Sequence, residues 1–316
     1  VTDKRASKYL DENNTIQSYI LNTDTLTKKN FFLSILASIK IIFSVIRSIL
    51  VLKKEKPNLV FGLGGYVSFP ICLASAILKV PLILYENNLV LGKTNKYLLP
   101  FAQKLLTSTN SIINYSEKYS NKTHRVGNIL REEILKFSLH QQENTNSTFT
   151  ILILGGSQGA TIFGQIMPDV IKKIQDNGYK IKIYQQCAKD QKDKLVDFYN
   201  KHSIENFVFN FTNNILDLIS QADLAISRSG ASTVAELEYT QTPFIAVPYP
   251  FAIDDHQYLN AKFYKEKDCC WIIEQKDFSS ENLFNLIKKI LQDKNKLKIV
   301  QQNMKKNDTK FTFSKI

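Results

Sequence analysis

The sequence predicts an α/β protein built from two doubly wound parallel-sheet domains facing a cleft, and three observations carry that prediction. Short apolar runs alternate with helical stretches along the chain, as at Pro57-Asn58-Leu59-Val60-Phe61 and Pro81-Leu82-Ile83-Leu84-Tyr85. Strands that alternate with helices pair in parallel. The pattern restarts after the polar stretch QQENTNST, Gln141 to Thr148, which places a domain boundary near residue 140. Glycine-rich turns follow strand candidates in both halves, at Gly62-Leu63-Gly64-Gly65 and Gly155-Gly156-Ser157-Gln158-Gly159, where ligands of open α/β sheets bind. The expected division is 1–140, 141–300 and a tail, 301–316.

Taken in order, residues 1–30 are polar, with VTDKRASKYL read as a strand end and a short helix. Phe31 to Leu52 is the most apolar segment. At 100° per residue, Ser34, Ser38, Lys40, Ser44, Arg47 and Ser48 share one half of a helix, while Phe31, Phe32, Ile35, Leu36, Ile39, Ile42, Phe43, Ile46, Ile49 and Leu50 share the other. That is an amphipathic helix rather than a membrane span. Packing on a sheet explains most of it, and contact with a membrane surface is a second role, since Lys53, Lys54 and Lys56 follow. The strand at Pro57 to Phe61 then turns through Gly64 and Gly65 into a helix that runs to Leu78. In the second half, strands are expected at 150–154, 180–184, 206–210, 223–227, 244–247 and 270–273, with helices between them.

The formal charge of +12 calls for an anionic partner. The lysines are spread along the chain and no nucleic-acid motif occurs, so a membrane surface fits better than nucleic acid. Cys72, Cys187, Cys269 and Cys270 give neither metal-ligand spacing nor a disulfide framework and are expected in the core. The four histidines are scattered, no metal constellation appears, and no GxSxG nucleophile is present. The turn after residue 154 is not GxGxxG, and no acidic residue ends the following strand, which argues against hydride-transfer chemistry.

The stretch Ala222 to Glu238 is the strongest site candidate. A buried strand at Leu224-Ala225-Ile226 is followed by Gly230, read as a permissive turn, and by Thr233 with Glu236, a capping-box spacing. A helix start of this kind exposes N–H groups that suit a phosphate. The stretch Pro248 to Ala261 offers hydrogen-bonding groups suited to sugar hydroxyls, and a proline-stiffened, capped helix would read the same way.

Six segments, GLGGYVSFP (62–70), YENN with GKTNK (85–96), VGNILRE (126–132), LGGSQGA (154–160), SRSGASTVAE (227–236) and VPYPFAIDDHQYLNA (247–261), resemble in order and spacing the MurG family of bacterial N-acetylglucosaminyltransferases. The resemblance implies a GT-B glycosyltransferase fold of two Rossmann-like domains; no DxD-like pair stands at a strand end, Asp254-Asp255 lying in the sugar loop, so no obligatory metal and no cofactor is expected. It implies inverting transfer of N-acetylglucosamine from UDP-N-acetylglucosamine to the 4-hydroxyl of an undecaprenyl-diphosphate-linked N-acetylmuramoyl-pentapeptide. That step belongs to peptidoglycan synthesis, hence to cell-wall biogenesis, cell shape and division. It also implies a peripheral position on the cytoplasmic face of the bacterial plasma membrane.

Residue by residue, the resemblance assigns Glu236 to the ribose hydroxyls and Ala231, Ser232 and Thr233 to the diphosphate. Ser157 and Arg131 are further donor contacts, Asn88 and Gln257 lie on the sugar side, and Thr212 reads uracil through its backbone. Gly64, Gly65, Tyr66 and Ser68 form a glycine loop facing the acceptor, with Glu86 and Asn95 on the same side. Tyr85 stands where many members have His, and a phenol with a pKa of about 10 is a poor general base at neutral pH. The family's opening strand and GGTGGH loop, with a histidine often assigned as the base, have no counterpart here, and the residues after Asn303 do not show the family's long returning helix. The 316-residue chain is therefore expected to bind donor weakly and turn over poorly. The rival expectations are a non-catalytic UDP-sugar-binding subunit and another GT-B enzyme, such as a UDP-N-acetylglucosamine 2-epimerase or a glycolipid synthase.

Overall fold

The computed structural model describes residues 1–2, 17–21, 31–130, 134, 148–156, 160–293 and 295–307. The polar stretch near residue 140 and most of the first thirty residues lie outside them; Thr2 forms a parallel bridge with Ile20. The chain divides into two compact units, Val1–Gly127 and Asn128–Ile316.

The first unit carries a four-stranded parallel sheet of β1 (Val60–Gly62), β2 (Leu82–Glu86), β3 (Lys104–Thr107) and β4 (Thr123–Arg125), side by side in sequence order. β1 begins three residues later than the apolar run suggests. Pro57 has no N–H to give to a ladder, and pairing starts only where Val60 meets Leu82. β3 and β4 are additions to the sequence reading. They are short, and β4, Thr-His-Arg, has no apolar pattern to betray it. Two helices, α1 (Phe31–Glu55) and α2 (Gly65–Ile77), precede and follow β1, and α3 (Lys93–Leu98) follows β2. The core gathers Val60, Ile71, Cys72, Leu82, Leu84, Leu98 and Leu105.

α1 reverses the expected packing. Its small face is the buried one: Ala37, Ser44, Ser48 and Leu52 are at most 5% exposed. Leu36, Ile39, Ile42, Phe43, Ile46 and Leu50 are exposed, Phe43 at 68%. Small side chains let α1 lie close against α2. The Ser48 hydroxyl satisfies itself by donating to the Ser44 carbonyl at 2.7 Å, so burying that serine leaves no orphaned donor. Hydrophobicity alone points the wrong half of this helix inward.

The second unit is a six-stranded parallel sheet in the order β10-β9-β8-β5-β6-β7. Its strands are β5 (Phe149–Leu154), β6 (Ile181–Gln186), β7 (Glu205–Phe209), β8 (Leu224–Ser227), β9 (Phe244–Ala246) and β10 (Trp271–Ile272). Alternation sends Ile151 and Ile153 to one face and Leu152 to the other. Helices α4 (Thr161–Asp176) and α5 (Lys192–Lys201) cover the first face, joined by α9 (Ser280–Gln292). The second is covered by α6 (Ile215–Ser220), α7 (Ala231–Tyr239), α8 (His256–Lys265) and α10 (Asn295–Lys306). With helices on both faces the unit is doubly wound. α10 runs into the stretch read as a tail, because Val300 and Met304, four residues apart on one face, are buried in the core. All four cysteines are free and buried; burial pushes the Cys72 thiol up to about 12 and that of Cys269 to about 11.

Candidate active site

In the second sheet the strand order reverses between β5 and β8, which are hydrogen-bonded neighbours. Helix connections leave opposite ways from this switch point, and the region beyond the carboxyl ends of these two strands is where open α/β sheets take their ligands. β5 leads into Gly155 and Gly156, the latter at φ +77. β8, buried along its length, leads through Arg228, Ser229 and Gly230 into α7.

The start of α7 corrects two expectations. Gly230 is the N-cap with φ −63 and ψ 141, an ordinary extended conformation rather than a glycine-only turn. Thr233 is the third residue of the helix, not its cap; the cap position is Gly230, which has no side chain to offer the first N–H groups. The reason is length: with β8 running to Ser227 and α7 beginning at Ala231, only three residues intervene, so Thr233 already lies in the first turn. What glycine does supply is room. A Cβ at Gly230 would meet nothing within 4 Å. Ala231, Ser232 and Thr233 thus form the glycine-capped, positive end of a nine-residue helix beside open space, a favourable setting for an anion. Glu236 lies on the same helix, half-buried.

A ring of hydrogen bonds ties this helix start to the loop before α8. The guanidinium of Arg228 donates to the carbonyls of Val247 (3.0 Å) and Pro248 (3.1 Å) and to Oε1 of Gln275 (2.6 Å). Ser229 Oγ donates to the Gln257 carbonyl at 2.8 Å, and Asn260 Nδ2 to the Ser229 carbonyl at 3.2 Å. The Tyr249 N–H donates to Oε1 of Gln257 at 3.0 Å. Gln257 is therefore fixed in backbone and side chain. In the same loop Asp254 and Asp255 both take positive φ, 52 and 51, and the Asp255 side chain does not cap α8.

Thr212 sits in the loop after β7, where its Oγ1 accepts from the Asn214 N–H at 3.1 Å. β7 is three places from β8 in the sheet, roughly 14 Å at about 4.8 Å per strand. Arg131 and Ser157 lie outside the described residues.

In the first unit, the glycine loop follows β1. Gly64 and Gly65 have φ +77 and +73, values that L side chains adopt only with strain. Ser68 Oγ donates to the carbonyls of Gly64 (2.7 Å) and Gly65 (3.0 Å), and half-buried Tyr66 is the second residue of the helix, beside them. At the neighbouring end of β2 the buried carboxylate of Glu86 accepts four hydrogen bonds. They come from the backbone and side chain of Asn88 (3.1 Å each), the Gly92 N–H (2.9 Å) and Asn95 Nδ2 (2.9 Å). Asn95 Nδ2 also reaches the Tyr85 carbonyl at 3.0 Å, and its Oδ1, buried, has no partner among the described residues. An added Cβ at Gly64 would come within 3.2 Å of Asn95 Nδ2. Gly64, Glu86, Asn88 and Asn95 are thus one cluster. Tyr85 is 4% exposed; its hydroxyl lies 3.0 Å from the Gly127 carbonyl and 3.1 Å from Asn87 Oδ1, the surroundings of a structural donor rather than a base.

Sequence reasoning passed over Arg228, Ser229, Asn260 and Gln275. Arg228 and Ser229 stand inside the SRSG segment, and the available signal was an arginine directly after the apolar run of β8, in the short turn into α7. The organising role of Glu86 within its own loop was also not anticipated.

The glycosyltransferase family 28 N-terminal domain matches residues 1–107, and the family 28 C-terminal domain matches residues 150–316. A UDP-N-acetylglucosamine–N-acetylmuramyl-(pentapeptide) pyrophosphoryl-undecaprenol N-acetylglucosamine transferase of Pelagibacter ubique is 34% identical over 100% of this chain and 87% of its own length. A Rickettsia felis protein of the same name is 35% identical, covering 97% of this chain and 86% of its own. Among solved structures, Acinetobacter baumannii MurG superposes with a TM-score of 0.70 at 25% identity, over 96% of this chain and 84% of that one. With two parallel-sheet units and these relatives, the fold is of the GT-B class. The chain belongs to glycosyltransferase family 28 and, within it, to the UDP-N-acetylglucosamine–N-acetylmuramyl-(pentapeptide) pyrophosphoryl-undecaprenol N-acetylglucosamine transferases.

Proposed function

We propose that the protein transfers N-acetylglucosamine from UDP-N-acetylglucosamine to the 4-hydroxyl of a lipid-linked N-acetylmuramoyl-pentapeptide, with inversion at the anomeric carbon. The observation that carries this reading is the glycine-capped start of α7 at the switch point of a family 28 C-terminal unit. The acceptor oxygen attacks the anomeric carbon, the bond from that carbon to the diphosphate breaks, and UDP leaves with the electron pair. Negative charge grows on the diphosphate as the bond breaks, so N–H groups fixed in advance at Ala231, Ser232 and Thr233 stabilise the transition state more than the ground state.

Glu236 takes the ribose hydroxyls, Gln257 the sugar and Thr212 the base, and Ser157 and Arg131 add contacts to the donor. The separation between the β7 and β8 loops suits a nucleotide laid across the strand ends from base to diphosphate. In the first unit Gly64, Gly65, Tyr66 and Ser68 face the acceptor, and Asn88 serves the sugar side. The saturation of Glu86 by its own loop supports a role in holding Asn88 and Asn95 in place. Calorimetry tests the donor assignment: UDP and UDP-N-acetylglucosamine should compete for one site, and independent binding of the two would contradict it.

The same reading puts the protein peripherally on the cytoplasmic face of the bacterial plasma membrane. None of the described helices is long and apolar enough to cross a membrane. α1 instead turns Leu36, Ile39, Phe43, Ile46 and Leu50 outward, with exposed Lys40, Arg47 and Lys53 beside them, the combination that binds anionic lipid. Sedimentation with vesicles containing anionic lipid should weaken at least roughly tenfold on Phe43→Ser with Leu50→Ser, and should weaken with added salt in the wild type. Binding indifferent to both changes would remove α1 as the contact.

A further inference from the structure

We infer that Arg228 is a positioning residue for sugar recognition, acting on the donor through Gln257 rather than by touching it. This role rests on the sugar-side assignment of Gln257 made above and deepens it.

The Arg228 side chain is 9% exposed and lies between two rings, 5.3 Å from the centroid of Phe163 and 5.4 Å from that of Tyr249. Its hydrogen bonds go to two backbone carbonyls and one side-chain amide, all neutral. Among the described residues no carboxylate pairs with it. Burial pushes its ionisation below the ordinary value, yet an arginine stays charged at any physiological pH. A buried charge held only by neutral acceptors needs all of them, and so it fixes the segments that carry them. Here those segments are Val247-Pro248 and the turn at Gln275–Asp277.

The consequence passes to the next residue. With the carbonyls of Val247 and Pro248 held, the Tyr249 N–H is placed against Gln257, and stacking of the Tyr249 ring on the guanidinium holds it there. An N–H can pair only with the oxygen of an amide, which settles which way the Gln257 side chain faces. Oε1 is engaged, and Nε2 has no partner among the described residues. Both of its hydrogens remain for the oxygens of a bound sugar. Ser229 closes the ring by pinning the Gln257 backbone, and its hydroxyl is fully buried. The helix start and Glu236, assigned to the nucleotide, stand on α7, whereas Arg228 and its acceptors hold the Val247–Tyr249 segment and Gln257. Loss of Arg228 should therefore disturb recognition of the sugar and spare that of the nucleotide.

The test compares affinities for UDP-N-acetylglucosamine and for UDP, by calorimetry, across wild type, Gln257→Ala, Arg228→Lys, Ser229→Ala and the double variant Arg228→Lys with Gln257→Ala. Lysine keeps the charge but cannot reach three acceptors in the plane of a fork, and Ser229→Ala opens the ring from its other side without touching the guanidinium. Thermal melts confirm that each variant is folded. Gln257→Ala should lower the affinity for the nucleotide sugar relative to UDP by roughly tenfold. Arg228→Lys and Ser229→Ala should lower the same ratio while UDP affinity stays within about twofold, and the double variant should be no worse than Gln257→Ala. The inference is overturned if Arg228→Lys leaves the ratio intact where Gln257→Ala lowers it, if the two effects add, or if UDP affinity falls equally. Should Gln257→Ala itself leave the ratio unchanged, the sugar-side assignment fails first and takes the role of Arg228 with it.

Discussion

Replacing Glu236 by alanine is expected to weaken UDP binding by roughly 10- to 150-fold, the loss of about 1.5–3 kcal/mol from hydrogen bonds to a carboxylate. The residue stands on α7, past the first turn, where its carboxylate can take two ribose hydroxyls while the diphosphate meets the N–H groups at the helix start. A carboxylate only accepts, and a vicinal diol has two donors to give, so the match is specific. Glu236→Gln should fall between wild type and alanine. A double-mutant cycle with 2′-deoxy-UDP checks the contact: the variant should discriminate against the deoxy ligand less than the wild type does. Unchanged UDP affinity in Glu236→Ala would remove the residue from the site.

The second large effect is on stability. Glu86→Ala should destabilise the first unit by about 3 kcal/mol or more. Four hydrogen bonds from Asn88, Gly92 and Asn95 converge on the Glu86 side chain, which is 5% exposed. Each buried donor left without a partner costs about 1–3 kcal/mol. Water entering the space left by the side chain recovers part of that. A melting temperature lower by roughly 10 °C is the expected reading. Glu86→Gln keeps one oxygen acceptor and should fall between the two. Wild-type stability in Glu86→Ala, with activity lost, would instead assign the carboxylate directly to substrate.

Much of this fold was legible because parallel strands buried on both faces are continuous apolar runs. Ile151-Leu152-Ile153-Leu154 and Leu224-Ala225-Ile226 announce their strands, and the glycines mark the turns after β1 and β5. What stayed hidden was decided by tertiary contact. Thr123-His124-Arg125 is a strand only because β3 supplies its ladder. The direction of α1 depended on residue size: Ala37, Ser44 and Ser48 lie inward because small residues admit a neighbouring helix, and the larger apolar residues are left outside. The cap of α7 could not be read from Thr233 and Glu236, since their spacing is the same whether the helix begins at residue 231 or 234. Most of the candidate site came from resemblance over six segments. The ring through Arg228 did not, because its partners, Val247, Pro248, Gln257 and Gln275, are distant in sequence and several act through backbone atoms that no residue type reveals.

The most direct test of the proposed reaction is to incubate the protein with UDP-N-acetylglucosamine labelled in the sugar and a lipid-linked N-acetylmuramoyl-pentapeptide acceptor. The product is identified by NMR and judged on identity rather than rate. The predicted result is label in the lipid fraction, as N-acetylglucosamine joined through a β linkage to the 4-hydroxyl, with one UDP released per sugar transferred. Label remaining on the nucleotide as a 2-epimer, or appearing on a different acceptor hydroxyl, would contradict it.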